Sequence, residues 1–338
     1  MKIFELQVDD LTKIFWLASV SFVVAMAWTP VLTHFLYKYR MGKRIRTEGI
    51  GSAAPIFAKL HAKKENTPTM GGLLIWITVF AMTLIFNLNR AQTWLPLFSL
   101  VSAGVIGAID DIFNVFGIGP NRGGLRFRHK MILFLLISAI GAWWFYSKLG
   151  WDSIMIPGFG LTSIGWLYIP LFIVVLIGTS FAVNETDGLD GLSGGLLTIC
   201  FGAYALIAFT QGKLDLAAFC ASISGALLAF LWFNIYPARF FMGDTGSMAL
   251  GITLAVVAFL TNTVFVLPII GFVFVVEALS VIIQITSKKL RGGKKIFLSA
   301  PIHHHFEALG WPETKVTMRF WVIGGAAAFI GLVIVLIS

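Results

Sequence analysis

Runs of about twenty apolar residues, broken only by short polar stretches, recur along this chain up to Ser338 and constrain it more than any other feature. Lipid offers no partners to backbone N–H and C=O groups, so a segment that crosses a bilayer must pair them within itself, as a helix does. The runs predict spans near residues 14 to 37, 70 to 88, 93 to 113, 131 to 147, 166 to 183, 192 to 211, 214 to 233, 247 to 263, 264 to 286 and 319 to 337. The expected fold is therefore an all-α integral membrane protein, a bundle of about ten transmembrane helices. Of the 338 residues, 58% are hydrophobic and only 12% charged, which excludes an ordinary soluble domain and favours one polytopic unit over residues 1 to 338. The first run is long and follows the acidic Glu5, Asp9 and Asp10, so it reads as a retained anchor rather than a cleaved signal.

A net charge of +9 raises the question of nucleic acid, and the placement of the cations answers it. Counting alternate connections, 20 of the 25 Lys and Arg fall on one side, within residues 38 to 69, 110 to 130, 234 to 247 and 287 to 319. Only Lys2, Lys13, Arg90, Lys148 and Lys213 fall on the other. This is the positive-inside asymmetry, so the basic side is read as cytoplasmic, both termini face outward, and the partner is a lipid bilayer with no nucleic acid. Cys200 and Cys220 lie within apolar spans and read as packing residues. On the outer side, Pro157-Gly158 between Ile-containing flanks predicts a small exposed hairpin.

With that orientation, five of the nine Asp gather at cytoplasmic ends of spans: Asp110, Asp111, Asp187, Asp190 and Asp244. A carboxylate inside a spanning helix costs roughly 3 kcal/mol, so acids tucked beside apolar segments usually have a partner or a task, although any one of them can simply face water. Asp110-Asp111 ends a span with two adjacent carboxylates whose repulsion a cation or a shared proton relieves, and Mg²⁺ is the natural cation. Asn184-Glu-Thr-Asp187-Gly-Leu-Asp190 sets two acids three residues apart among glycines. Phe241-Met-Gly-Asp244-Thr-Gly-Ser247 precedes a span, where helix-start amides receive phosphate oxygens.

Three histidines are consecutive, in Ala300-Pro-Ile-His303-His304-His305-Phe-Glu307. On a helix, neighbours point about 100° apart, which disfavours a three-histidine zinc site and favours hydrogen bonds to phosphate or carboxylate; histidines on an interfacial loop are the plainer reading. The first basic loop, His61-Ala-Lys-Lys64-Glu-Asn-Thr67-Pro-Thr69, ends in Gly71-Gly72. Lys64, Lys130 and Arg122 fit a phosphate contact or ordinary positive-inside placement equally well.

Taken together, these motifs resemble the polyprenyl-phosphate N-acetylhexosamine-1-phosphate transferases, in the same order over nearly the whole chain. The likeness is carried by Thr67-Pro-Thr-Met-Gly-Gly72, Asp110-Asp111, Asn184 through Leu192, Phe241-Met-Gly-Asp244, and Ala300-Pro-Ile-His-His-His-Phe306. The resemblance implies ten helices with outward termini in the bacterial cytoplasmic (inner) membrane, with the active site on the cytoplasmic face. Within the family, the Thr-Pro-Thr-Met-Gly-Gly run and the His triplet favour the branch that makes lipid I. The phosphate of undecaprenyl phosphate would attack the sugar-linked phosphorus of UDP-N-acetylmuramoyl-pentapeptide, releasing UMP, with Mg²⁺ required.

The same resemblance implies that Asp244 ligates Mg²⁺, while Asp110 or Asp111 helps hold the ion or deprotonates the lipid phosphate. Direct attack is favoured over a two-step route through an Asp nucleophile, which stays open. The uridine pocket would use Asp187, Gly188, Leu189 and Asp190, with Lys64, Thr69 and Asn184 nearby and the Phe241 ring against uracil, unless Phe241 is ordinary core. His303, counted with the catalytic residues, would line the cleft with His304 and His305. Lys130, Asn234 and Gln284 would complete the substrate contacts. Glu277, inside the ninth span where the family's helix bends beside a lipid groove, is expected to be structural and to have a buried partner.

The chain departs from the family pattern at four places. Asp111 is followed by Ile-Phe-Asn114 where a basic residue is common, leaving Arg122 or Arg126 as substitutes; Phe181, Glu185 and Asn66 stand where Asn, Leu and Gly are common. Two other functions stay open. A secondary transporter also carries intramembrane carboxylates, though no internal repeat is evident. A sister enzyme moving N-acetylglucosamine-1-phosphate would share the Asp motifs and the metal. The assembly is open too, a homodimer being one option.

Overall fold

A computed structural model describes residues 8–42, 48–49, 52–53, 64, 66–119 and 124–338. His61 and Arg122 lie outside the described residues. The fold is helical apart from two short β-hairpins. The helices are α1 (Val8–Lys38), α2 (Gly72–Phe86), α3 (Trp94–Phe116), α4 (Phe127–Trp143), α5 (Tyr168–Thr186), α6 (Leu192–Thr210), α7 (Leu214–Asn234), α8 (Asp244–Leu260), α9 (Leu267–Ile270), α10 (Phe272–Leu290), α11 (Ile302–Ala308) and α12 (Glu313–Ile337). Strands β1 (Glu48–Gly49) and β2 (Ser52–Ala53) pair, as do β3 (Ser153–Ile156) and β4 (Gly160–Ser163). The second pair is the hairpin expected around Pro157-Gly158, with Ile154 opposite Thr162.

This is an integral membrane protein by its helices. Among the described residues, seven are long and apolar enough to cross a membrane: the first, α3 to α7 and α12. Each of the ten predicted runs falls on a helix, but three differ from a plain span. α2 has 15 residues and α8 has 17. The ninth run breaks at Gly271 into the four-residue α9 and the 19-residue α10, which carries Glu277 and Gln284 inward and Lys288 and Lys289 in its last turn.

α8 differs from the lipid-facing helices in its surroundings. All of its residues are buried, and it packs against α2, α3, α5 and α6, so it is surrounded by protein. Lipid tails are as apolar as Leu, so helices here are held by close packing and polar bonds rather than by expulsion of water. Close packing is visible where α3 meets α8: a Cβ on Gly107 would strike the backbone carbonyl of Asp244. At the opposite end, Phe145, Tyr168, Phe172 and Phe259 form a buried aromatic cluster, with Phe172 and Phe259 centroids 4.5 Å apart. Such pairs contribute about 0.5–1.5 kcal/mol each beyond area burial.

Polar bonds fasten that same end. Asp215 accepts from Lys13 Nζ at 2.7 Å and Asn89 Nδ2 at 2.6 Å, tying α1, the α2–α3 turn and α7 together. Asn262 Oδ1 accepts from Met155 N at 3.1 Å and seats the hairpin on the bundle. Cys200 and Cys220 are free and buried in the core, as expected of packing residues.

Candidate active site

At the other end of the bundle, the last turns of α3 and α5 meet the first turns of α4 and α8. Asp110 and Asp111 are buried neighbours on α3 and, being about 100° apart around the helix, face different elements. Asp111 turns to α8: its Oδ2 accepts from Thr245 N at 3.0 Å and from Thr245 Oγ1 at 2.8 Å. A carboxylate on the first-turn amides of a helix satisfies groups with no intrahelical partner and complements the helix dipole. The chain enters α8 through Gly243, at φ +73°, where a Cβ would strike Asp111 Oδ2 and Thr69 Oγ1. Only glycine holds that conformation without strain.

Asp110 turns instead to α4. Lys130 Nζ donates to Asp110 Oδ2 at 2.8 Å and to Asp244 Oδ2 at 2.6 Å, so one ammonium joins acids from two helices. Asp110 Oδ1 accepts from Leu125 N at 2.8 Å, and Oδ2 also from Asn114 Nδ2 at 3.2 Å. Asn184 at the end of α5 donates to Asp244 Oδ1 at 3.0 Å and to Ser247 Oγ at 2.9 Å. Thus the basic residue missing after Asp111 arrives from α4 as Lys130, while Arg126 is exposed.

The donor set can be tested against Mg²⁺. Two carboxylates, Asp110 and Asp244, face a common cationic point, and their charges exceed that of Lys130 by one. Mg²⁺ takes hard oxygen donors and is commonly held by one or two carboxylates plus water and substrate phosphates, so the pair fits it. Of Asp110 and Asp111, the alternatives expected beside Asp244, it is Asp110 that shares Lys130 with it, and among the described residues no three His, Cys, Asp or Glu are grouped so that they could hold one metal ion. Asp111 is drawn to the start of α8 because helix geometry points it away from Asp110.

A second cluster joins the α5–α6 turn to α12. Lys64 Nζ donates to Asp190 Oδ1 at 2.6 Å and pairs with Glu313, and it lies 5.8 Å from the Phe241 ring centroid. Glu313 Oε1 also accepts from Asp190 N at 2.6 Å, and Asp190 Oδ2 accepts from Ala238 N at 3.0 Å. Asp187 Oδ2 accepts from Gly243 N at 3.2 Å, linking this turn to the Asp244 helix. The segment before α2 is stitched to the same place: Phe241 N donates to Pro68 O, and Gly71 N donates to Phe241 O, both at 2.8 Å. Buried Thr69 and Leu189 sit within this frame.

The histidines form a third cluster on α11. His303 Nδ1 lies 3.0 Å from Glu277 Oε2, both residues wholly buried, so Glu277 has the buried partner expected of it. His304 Nδ1 lies 2.7 Å from Glu307 Oε2. Burial, the largest influence on His303, disfavours its imidazolium, but the Glu277 carboxylate, with Glu307 and Glu185 behind it, more than offsets this and raises the pKa above the usual histidine value. His305 points elsewhere, its Nδ1 accepting from Leu298 N at 3.1 Å.

Comparison with known proteins decides the family. Residues 93–262 match the model described as glycosyl transferase family 4, and residues 64–75 match phospho-N-acetylmuramoyl-pentapeptide-transferase signature 1. A protein of Geobacillus thermodenitrificans named phospho-N-acetylmuramoyl-pentapeptide-transferase is 42% identical over 322 residues, covering 94% of this chain and 96% of its own. Proteins of the same name from Chloroflexus aggregans, 40% identical over 98% of this chain and 91% of theirs, and Anoxybacillus flavithermus, 42% over 95% and 97%, agree. The chain belongs to the phospho-N-acetylmuramoyl-pentapeptide-transferase family.

Against that membership, the expected site residues divide by what they touch. Asp110, Lys130, Asn184 and Asp244 form one hydrogen-bonded group, and Lys64, Asp187, Asp190 and Phe241 another beside it. Gly188 abuts His303 and His304. Asn234 and Gln284 face backbone instead. Asn234 bonds Gly191 N and Phe240 O, while Gln284 holds Ile296 N, Phe297 N and Phe297 O at 2.8–3.0 Å. These amides shape the loops around the cleft. Asn114, Thr245 and Glu313 were not singled out from the sequence, where each reads as an ordinary polar residue at a helix end.

Proposed function

We propose that this end of the bundle is the reaction centre of a phospho-N-acetylmuramoyl-pentapeptide-transferase. The chain transfers phospho-N-acetylmuramoyl-pentapeptide from UDP-N-acetylmuramoyl-pentapeptide to undecaprenyl phosphate, giving lipid I and UMP in cell-wall synthesis. The observation that carries the site reading is the Lys130 ammonium held between Asp110 and Asp244 at the start of α8. Phosphoryl transfer asks of a protein mainly positioning and neutralisation of charge, and this arrangement offers both.

In this reading an oxygen of the lipid phosphate attacks the sugar-linked phosphorus directly; the new P–O–P linkage forms as the bond to UMP breaks, and UMP leaves with the electron pair. Asp110 and Asp244 would hold Mg²⁺, which would supply Lewis-acid neutralisation of phosphate charge when bound. Lys130 places positive charge on the same oxygens, and Asn184 fixes the Asp244 carboxylate. Asp187, Gly188, Leu189 and Asp190, with Lys64, Thr69 and the Phe241 ring, receive the uridine half. His303 and His304 meet the phosphates. The polyprenyl chain lies in an apolar groove of about 290 Å³ between α5 and the broken α9–α10 segment, lined by Phe181, Ala182, Gly271, Phe274 and Leu279.

The whole chain acts as one polytopic domain of ten spans with both termini outward, in the bacterial cytoplasmic membrane. The site then faces the cytoplasm, where the nucleotide substrate is. The positive-inside distribution of Lys and Arg supports this orientation. A homodimer is compatible with it. The test is UMP release by the purified protein with undecaprenyl phosphate and each UDP-sugar in turn. Release with UDP-N-acetylmuramoyl-pentapeptide and not with UDP-N-acetylglucosamine is expected; the reverse preference, or ion-coupled uptake without nucleotide, refutes the reading.

A further inference from the structure

Two carboxylates on different elements hold two histidines in the same way. Glu277, wholly buried inside α10, meets His303 at Nδ1, and Glu307 meets His304 at Nδ1. The two rings lie edge to face with centroids 4.0 Å apart. Both then direct the other nitrogen to one place: a Cβ added to Gly188 would strike Nε2 and Cε1 of His303 and lie 3.2 Å from Nε2 of His304. Nε2 of His303 is buried and has no hydrogen-bond partner among the described residues. A carboxylate at Nδ1 keeps the proton on that nitrogen and locks the ring plane, which leaves Nε2 as the atom able to meet a ligand.

We propose that Glu277 is a positioning residue for the transfer reaction: its carboxylate holds Nδ1–H of the His303 imidazolium, so that the second N–H, at Nε2, is presented beside Gly188 to a phosphate oxygen of the nucleotide-sugar donor. Glu307 does the same for His304, and the bare backbone of Gly188 makes room for both rings. The proposal rests on the functional reading above for its ligand. A Glu277 that merely satisfied a buried histidine would matter to folding and not to turnover.

The test uses the full chain in lipid nanodiscs, with E277Q, E277D, H303N and the E277Q/H303N double variant, each checked for helical content and size. UMP release gives kcat and KM, and ¹⁵N-labelled histidine spectra give the protonation of the ring, with the His303 signals identified as those lost in H303N. E277Q is expected to lower kcat about 100-fold while the KM for the UDP-sugar moves less than about 3-fold, and to shift the His303 ring signals. E277D recovers part of kcat, and E277Q costs nothing further in H303N, because the two residues act as one unit. A kcat for E277Q within about 3-fold of the parent, or an undiminished loss in H303N, overturns the proposal. Should E277Q not accumulate folded, the parent spectrum decides, since an unprotonated His303 Nδ1 overturns it equally. Absence of UMP release by the parent with every UDP-sugar would instead sink the functional reading while leaving the ring signature intact.

Discussion

Lys130 Nζ lies 2.6 Å from Asp244 Oδ2 although the residues are 114 positions apart and start different helices. The pair is mostly buried, so neither charge can fall back on water; Lys130 is shared with Asp110, and the two acids tolerate each other through the ammonium between them. Desolvation of such groups is expensive and is offset only by good geometry, which makes removal of one partner far more damaging than loss of a surface ion pair.

Lys130→Met is therefore expected to remove the ammonium that Asp110 and Asp244 share, leaving each with neutral donors but without that cation. Thermal unfolding in detergent should show a loss of about 3–5 kcal/mol. UMP release should fall by about 10³, because positive charge on the transferring phosphate is lost as well. Lys130→Arg keeps the charge and should lose less of both.

The adjacent acids should separate by readout. Asp244→Ala abolishes turnover, and Asp110→Asn lowers it by several orders of magnitude, since each removes a carboxylate from the shared cationic point. Asp111→Asn acts chiefly on stability, by about 1–2 kcal/mol, because its Oδ2 serves the first turn of α8. Near-normal turnover in either of the first two, with Mg²⁺ present, refutes the assignment.

Removal of divalent ions by a chelator should stop UMP release, and added Mg²⁺ should restore it, because one ammonium leaves the two carboxylates in charge excess. Full activity in the chelated enzyme would remove Mg²⁺ from the reading.

Lys64→Ala is expected to raise the KM for the nucleotide by about 10-fold with little change in kcat, as for a contact made equally in ground and transition states. The lysine bridges Asp190 and Glu313 beside Phe241, in a different hydrogen-bonded group from Asp110, Lys130 and Asp244. A pure loss of kcat would move Lys64 into the reacting group.

Stability should depend on pH through His303. Its folded pKa is raised, by Glu277 above all and by Glu307 and Glu185 against the opposing effect of burial, so the folded state holds the proton more tightly than the unfolded one. The resulting stabilisation is complete below the ordinary histidine value near 6.5 and is lost as pH rises through the raised folded value. Unfolding temperature measured across that window should fall with rising pH, and the slope should flatten in H303N.

Local signals made much of this legible. Hydropathy is a property of a segment by itself, so each predicted run falls on a helix, and the hairpin at Pro157-Gly158 follows from turn chemistry. Glu277 announced a partner because an acid in an apolar helix needs one. Nothing local announced that α8 would be wholly surrounded by protein, or that the ninth run would break at Gly271, since both depend on what packs against them.

The sequence by itself determined the membrane fold class and the family to which the motifs belong, because composition and motif order are carried by the chain whatever its shape. Only the tertiary structure decided that Asp110 goes to Lys130 while Asp111 goes to Thr245, that Lys64 reaches Glu313, and that two glutamates aim two histidines at Gly188. Those pairings depend on which way a side chain leaves its helix and on which helix lies opposite. One residue of rotation, about 100°, sends neighbouring acids to different partners.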